Sequence, residues 1–237
     1  MPNWVNTVIE FDGAKENIAA VFKEIAGEDE QNIIDFNKLI PMPESLNVTS
    51  GSDSNLAYAY YCVKEFNRMP DGKFFLKDSQ EVIDRVEKSP YEDAEKMMEF
   101  GRLLHDNKER YGALTWYEWC INNWGTKWNA CNCVQTDRTI ELSTAWDWPE
   151  PIMEKLAEVC MKLDVSFSGE WADEDCGRNT GCFSCDESGL RYDGYRDCSE
   201  EAYKAYERCF GDIYSEIDID DFEQSDGQTR NNDIQMG

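Results

Sequence analysis

Apolar residues recur at every second position in three well-separated stretches of this chain and at every third or fourth position in the stretches between them. Val5, Thr7, Ile9 and Phe11 alternate up to Asp12-Gly13; Ile140, Leu142, Thr144 and Trp146 form a second set, and Val165, Phe167, Gly169 and Trp171 a third. A period of two places each set on one face of a half-buried strand. Ile18, Val21, Phe22 and Ile25 instead fall at i, i+3, i+4 and i+7, one helical face closed by Gly27. Pro149 and Pro151 open another helix whose stripe is Ile152, Met153, Leu156, Val159, Cys160 and Leu163. Strands and helices that each bury one side must cover one another.

The rest of the chain fills in this frame. Residues 56–125 read as mostly helical: an aromatic-rich segment from Leu56 to Phe66, a short charged piece from Gln80 to Glu87, a helix from near Pro90 with Ala94, Met97, Gly101 and Leu104 on one face, and another through Ala113 to Asn123. This is an expected inserted helical layer. Trp128 to Val134 and Thr139 to Trp146 flank Gln135-Thr136-Asp137-Arg138 as a hairpin, and Leu190 to Tyr195 is a further strand. A last helix starts at Ser199 and stops at Gly211. Most tryptophans fall between Trp116 and Trp171, which points to an aromatic core with one or two rings left exposed as interface anchors.

Charge narrows the function classes. The chain carries 49 acidic against 23 basic residues, a formal charge of −26, and residues 171–237 alone hold a net −12. A field of that sign repels phosphate backbones, so direct nucleic-acid binding is disfavoured and a basic partner is favoured. No apolar run is long enough to span a membrane, and Met1-Pro2-Asn3-Trp4 begins no signal peptide, so a cytoplasmic location with mostly reduced thiols is expected.

Among candidate sites, Cys176, Cys182, Cys185 and Cys198 offer four soft donors and the possibility of a structural zinc site, although the first gap is long for a zinc knuckle. Packed thiols are the alternative. His105 is the single histidine and has no nucleophile motif beside it. No phosphate-cradling glycine loop, HExxH or nucleophile elbow occurs, so no enzyme is expected and no cofactor beyond a possible zinc ion. Glu170, Asp173, Glu174 and Asp175, with Asp186 and Glu187, are the carboxylates expected to contact a partner.

Three strings add a resemblance. Met1-Pro2-Asn3-Trp4-Val5-Asn6-Thr7, the segment from Asp35 through Pro41-Met42-Pro43 to Leu46, and Asn123-Trp124-Gly125-Thr126-Lys127-Trp128-Asn129-Ala130 are similar to the Api92-like family of phage and plasmid proteins. That resemblance implies a mobile-element protein of the bacterial cytoplasm with an α+β fold: a ferredoxin-like antiparallel sheet with helices on one face. It supplies no catalytic residues. The expected divisions are an α+β and helical region at 1–115, a ferredoxin-like domain at 116–211 and an acidic, largely disordered tail at 212–237.

The resulting expectation is a non-enzymatic acidic protein that inhibits a basic, nucleic-acid-binding host defence protein, a restriction or CRISPR effector, by imitating phosphates. The alternatives are a zinc-stabilised scaffold on Cys176, Cys182, Cys185 and Cys198, or an RNA-binding ferredoxin-like sheet that stacks bases on aromatics. Oligomeric state is left open.

Overall fold

The computed structural model of the protein describes residues 3–28, 33–70 and 78–211. The first alternating stretch is strand β1 (Trp4–Asp12), and the first helical stripe is α1 (Lys15–Ile25). Helices α2 (Phe36–Leu39), α3 (Ser52–Phe66), α4 (Ser79–Glu87), α5 (Ala94–Tyr111) and α6 (Trp116–Trp124) follow. Then come β2 (Cys131–Gln135), β3 (Thr139–Ala145), α7 (Glu150–Lys162), β4 (Ser166–Asp173), β5 (Gly181–Asp186), β6 (Gly189–Gly194) and α8 (Glu200–Phe210).

The six strands form one antiparallel sheet in the order β2-β3-β1-β4-β5-β6. Within it, β1, α1, β2, β3, α7 and β4 trace the β-α-β-β-α-β path of a ferredoxin-like unit. Helices α2 to α6 are inserted between α1 and β2, while β5, β6 and α8 extend the unit at its far end.

Helices α2, α4, α5, α6 and α8 start where the sequence supplies a side-chain acceptor for their orphan N–H groups. Asp93 accepts from Glu95 and Lys96 at the start of α5, and Ser199 accepts from Ala202 at the start of α8. Thr115 and Glu118 form a reciprocal capping box on α6.

Two apolar cores result. Ile18, Val21, Phe22 and Ile25 of α1, with Ile152, Met153, Leu156 and Cys160 of α7, pack on Val5, Ile9, Phe11, Ile140, Leu142, Phe167, Trp171 and Phe183 of the sheet. A second core lies within the helical insert, where Leu56, Ala57, Tyr60 and Val63 of α3 meet Val82 and Val86 of α4 and Met97 and Leu104 of α5. At about 1.5–3 kcal/mol per fully buried large apolar side chain, either core outweighs any surface ion pair in the molecule.

Four expectations change. The division at 115/116 does not separate the sheet, because β1 lies at its middle, paired with β3 on one side and β4 on the other. Helices on one face describes α1 and α7; α8 lies on the opposite face, where Asn6 Nδ2 donates to the Cys209 carbonyl and Arg208 pairs with Glu10 and Glu170. Alternation puts those β1 and β4 residues on the side away from Val5, Ile9 and Trp171. Trp146 does not continue the face of Ile140, Leu142 and Thr144, because the chain turns out of β3 there with a φ of 81°. Finally, the strand expected from Trp128 begins at Cys131 and carries a bulge before Val134. The tail at 212–237 lies outside the described residues.

Candidate functional site

The three family-like strings meet at one end of the sheet. Asn129 Oδ1 accepts from the Phe36 N–H at 2.9 Å, and its Nδ2 donates to Asp35 Oδ1 at 2.7 Å. Trp124 Nε1 donates to the Ile40 carbonyl at 2.9 Å, with Phe36 edge-on to its ring. Thr126 Oγ1 donates to the Ala145 carbonyl at 2.7 Å, and the rings of Trp4 and Trp128 lie 6.2 Å apart. Indole and amide groups buried this way need fixed partners, and each string supplies the other's. These strings are therefore joints of the fold before they are anything else.

Outside this junction lies an aromatic cluster. The Lys127 ammonium sits 4.4 Å from the centre of the Trp128 ring, 5.1 Å from Trp146 and 5.9 Å from Tyr117, so three π faces share one cation. Tyr117 meets Trp146 edge-on at 6.0 Å. Trp148 and Trp171 are buried and stacked at 4.4 Å, whereas Trp146 is 39% exposed. Its left-handed backbone costs on the order of 1–3 kcal/mol and turns the ring out of the strand. Sequence places most of these tryptophans in the core and expects one or two exposed without saying which; the one local clue is that Trp146 closes a strand just before Pro149 and Pro151.

The expected acidic contacts do not form one array. Glu174 and Asp175 are exposed beside the aromatic cluster: the Glu174 N–H donates to the Trp4 carbonyl, and Trp146 N–H donates to the Asn3 carbonyl on the other side of β1. Asp173 is buried and accepts from Asp175 N–H and Asn179 Nδ2. Glu170 lies under α8, accepting from the Tyr195 hydroxyl and paired with Arg208. Asp186 and Glu187 sit at the other end of the sheet, where they line an open cleft of about 530 Å³ with Asp12, Asp164, Ser166 and Met161. Strands of six to eight residues, rising about 3.3 Å each, keep the two ends roughly 20–25 Å apart. Asp186 is also paired with Arg191, which holds its carboxyl below the usual range.

Asp147, next to Trp146, titrates in the opposite sense. Loss of solvent raises its pKa first; hydrogen bonds from Trp148 N–H and the Asn179 side chain oppose the rise, and Asp173 and Glu150 add to it. A carboxyl raised on folding adds stability below its unfolded pKa and loses it as pH rises through the folded value. Asp147→Asn, which keeps the acceptor for Trp148, is thus expected to raise the melting temperature at about pH 7, the gain closing as pH falls to about 4. A gain that grew towards acid would refute the assignment.

The four candidate zinc ligands are not brought together. Cys182 and Cys185 lie three residues apart on β5, so they point to opposite faces: Cys185 into the core, Cys182 towards Glu170 and Tyr195. Cys176 and Cys198 are the pair that approaches, with Cys198 N–H donating to the Gly177 carbonyl. Among the described residues no three His, Cys, Asp or Glu side chains converge as a metal site. Burial pushes the Cys160 and Cys209 thiols up to about 12 and Cys120 and Cys133 to about 11, so these four are neutral packing groups at physiological pH. His105 lies among Tyr58, Tyr61 and Phe66, its ring 5.2 Å from that of Phe66.

With the sheet and its tryptophan-rich end in place, the comparison with known families concerns the same segment. Residues 123–229 match the ferredoxin-like domain in Api92-like protein. The match begins just before β2, so it covers β2 to β6, α7 and α8 and omits the central β1. The crystal structure of protein api92 from Yersinia pseudotuberculosis is similar at 12% identity, covering 83% of this chain and 99% of that one with a TM-score of 0.38. No curated protein matches the chain. No helix among the described residues is long and apolar enough to cross a membrane.

Proposed function

We propose that this chain is a non-enzymatic binding protein that engages a basic, nucleic-acid-handling protein through the tryptophan-rich end of its sheet. The observation that carries the reading is the adjacency, across the start of β1, of an exposed, conformationally strained tryptophan and the exposed carboxylates Glu174 and Asp175. An aromatic anchor rimmed by charge is how interfaces combine affinity with steering. The net charge of −26 repels phosphates, which supports a protein over a nucleic-acid partner.

In the phage or plasmid setting that the Api92-like resemblance suggests, the partner is a restriction or CRISPR effector in the bacterial cytoplasm, and the carboxylates stand where phosphates would. The mimicking surface is the Glu174–Asp175 end of the sheet, with the tryptophan beside it, rather than all six carboxylates named from sequence.

The test is affinity capture from bacterial lysate, with identification of what is retained. The intact chain is expected to hold basic proteins at low salt and release them at about 0.5 M, where screening falls to about 4 Å. Against a captured partner, Trp146→Ala is expected to weaken binding roughly thirtyfold. Glu174→Gln combined with Asp175→Asn should chiefly slow association. Retention indifferent to salt and to both variants would show the reading to be wrong.

A further inference from the structure

The open sheet has two edges of different character. On β2 the register shifts between Cys131 and Val134, and Asn132 takes a left-handed φ of 50°, so that edge is blunted by a bulge. β6 is regular: it pairs with β5 without interruption from Gly181↔Gly194 to Asp186↔Gly189, and its residues from Arg191 to Gly194 are exposed.

The phase of this ladder shows which backbone groups β6 leaves free. Tyr195 N–H donates to the Thr180 carbonyl at 2.8 Å, and the register places these two residues opposite each other. In an antiparallel ladder hydrogen-bonded and non-bonded pairs alternate, so Asp193, Arg191 and Gly189 direct their backbone groups at β5. Leu190, Tyr192 and Gly194 therefore turn N–H and C=O outward. These three positions are symmetric about Tyr192.

We propose that β6 pairs antiparallel with β6 of a second copy of this chain, about a two-fold axis at Tyr192, joining the two sheets edge to edge. Tyr192 then exchanges both backbone bonds with its counterpart, and Leu190 and Gly194 exchange theirs with Gly194 and Leu190 of the second copy. Charge selects this register. With the axis at Tyr192, Arg191 lies opposite Asp193 of the other copy, twice, on the same face. The neighbouring registers that keep the outward groups paired centre on Arg191 or on Asp193, and each opposes like charges.

The alternating charges that guard an edge against other strands are thus complementary to themselves, as a two-fold interface requires. Within one chain Arg191 already pairs with Asp186, and Tyr192 donates to Glu150, which hold both side chains in place along the strand. The opposing term is the charge of −26 on each copy, so association is expected to tighten when salt is raised from low values.

Sedimentation velocity on the full chain at about 0.3 M salt, where screening is near 6 Å, tests this up to concentrations of about 10⁻⁴ M, the range of weak interfaces. The expected result is a concentration-dependent dimer. Tyr192→Pro, which removes an outward N–H and leaves the β5 ladder bonded, abolishes it. Because that variant also removes a ring packed on Trp148, the decisive set is electrostatic. Arg191→Asp and Asp193→Arg each weaken dimerisation roughly tenfold, and the two together restore it. A chain that stays monomeric throughout, single variants that dimerise as the parent does, or a double variant that fails to recover would overturn the proposal.

Discussion

Gly169→Ala is expected to destabilise the protein by about 3 kcal/mol or more, at the upper end of what a single added methyl costs in a packed core. Gly169 sits in the middle of β4, between Ile9 of β1 and Phe183 of β5, on the face that carries Phe167 and Trp171. A Cβ there would lie 2.0 Å from the Val8 carbonyl oxygen and 2.5 Å from the Phe183 ring. A free ring would swing aside, but Phe183 is stacked on Trp148, itself stacked on Trp171, so it has nowhere to go. The carbonyl belongs to the central strand and cannot move without breaking a ladder on one side or the other. Urea denaturation followed by tryptophan fluorescence measures the effect. Ser168→Ala, next door and exposed, should stay within about 0.5 kcal/mol of the parent. An alanine variant with the parental midpoint would show that the strands are not this close.

Periodicity made part of this architecture readable and hid the rest for a physical reason. Val5, Ile9 and Phe11, or Ile152, Met153 and Leu156, announce that one face of an element is buried, and each such face is buried. What it is buried against is a matter of chain topology, to which a period is blind. So β1, read as part of an amino-terminal region, lies at the centre of a sheet whose other strands begin more than a hundred residues later. The same blindness affects site residues. Cys182 and Cys185 look like a chelating pair along the chain, but a strand sends positions three apart to opposite faces. Glu174 and Asp186 look like one acidic segment, but a strand and its return separate them by most of the sheet's length. Asp173, grouped with Glu174 and Asp175 by sequence, is the member whose carboxylate folds inward to accept from Asn179 and the Asp175 N–H. The family-like strings were legible for a different reason: Asn129, Trp124 and Thr126 each satisfy a backbone group of a distant segment, a demand that tolerates few alternatives.

The helical insert offers a prediction in which two principles point in opposite directions. Gly101 lies inside α5, where exchange for alanine normally stabilises a helix by about 1 kcal/mol. Here α5 crosses α3 so closely that a Cβ would lie 2.2 Å from the Ala57 carbonyl oxygen and 2.6 Å from Tyr61 Cβ. Backbone atoms of a packed helix cannot yield locally, so relief requires α3 and α5 to separate along their shared core of Leu56, Tyr60, Val63, Met97 and Leu104. That separation outweighs the propensity gain, and Gly101→Ala is expected to lose about 2–3 kcal/mol overall. The loss should be local, because this core is distinct from the one beneath the sheet. A polar link between the layers runs through Asn107, which donates to the Ser45 and Leu114 carbonyls and accepts from the Ser45 hydroxyl. Native-state hydrogen exchange should therefore show amides of α3, α4 and α5 losing protection while those of β1, β3 and β4 keep theirs. In Gly169→Ala the sheet amides should be the ones that lose it. Equal loss across both layers in Gly101→Ala would mean that the two cores open as one cooperative unit, with the Asn107 link strong enough to bind them.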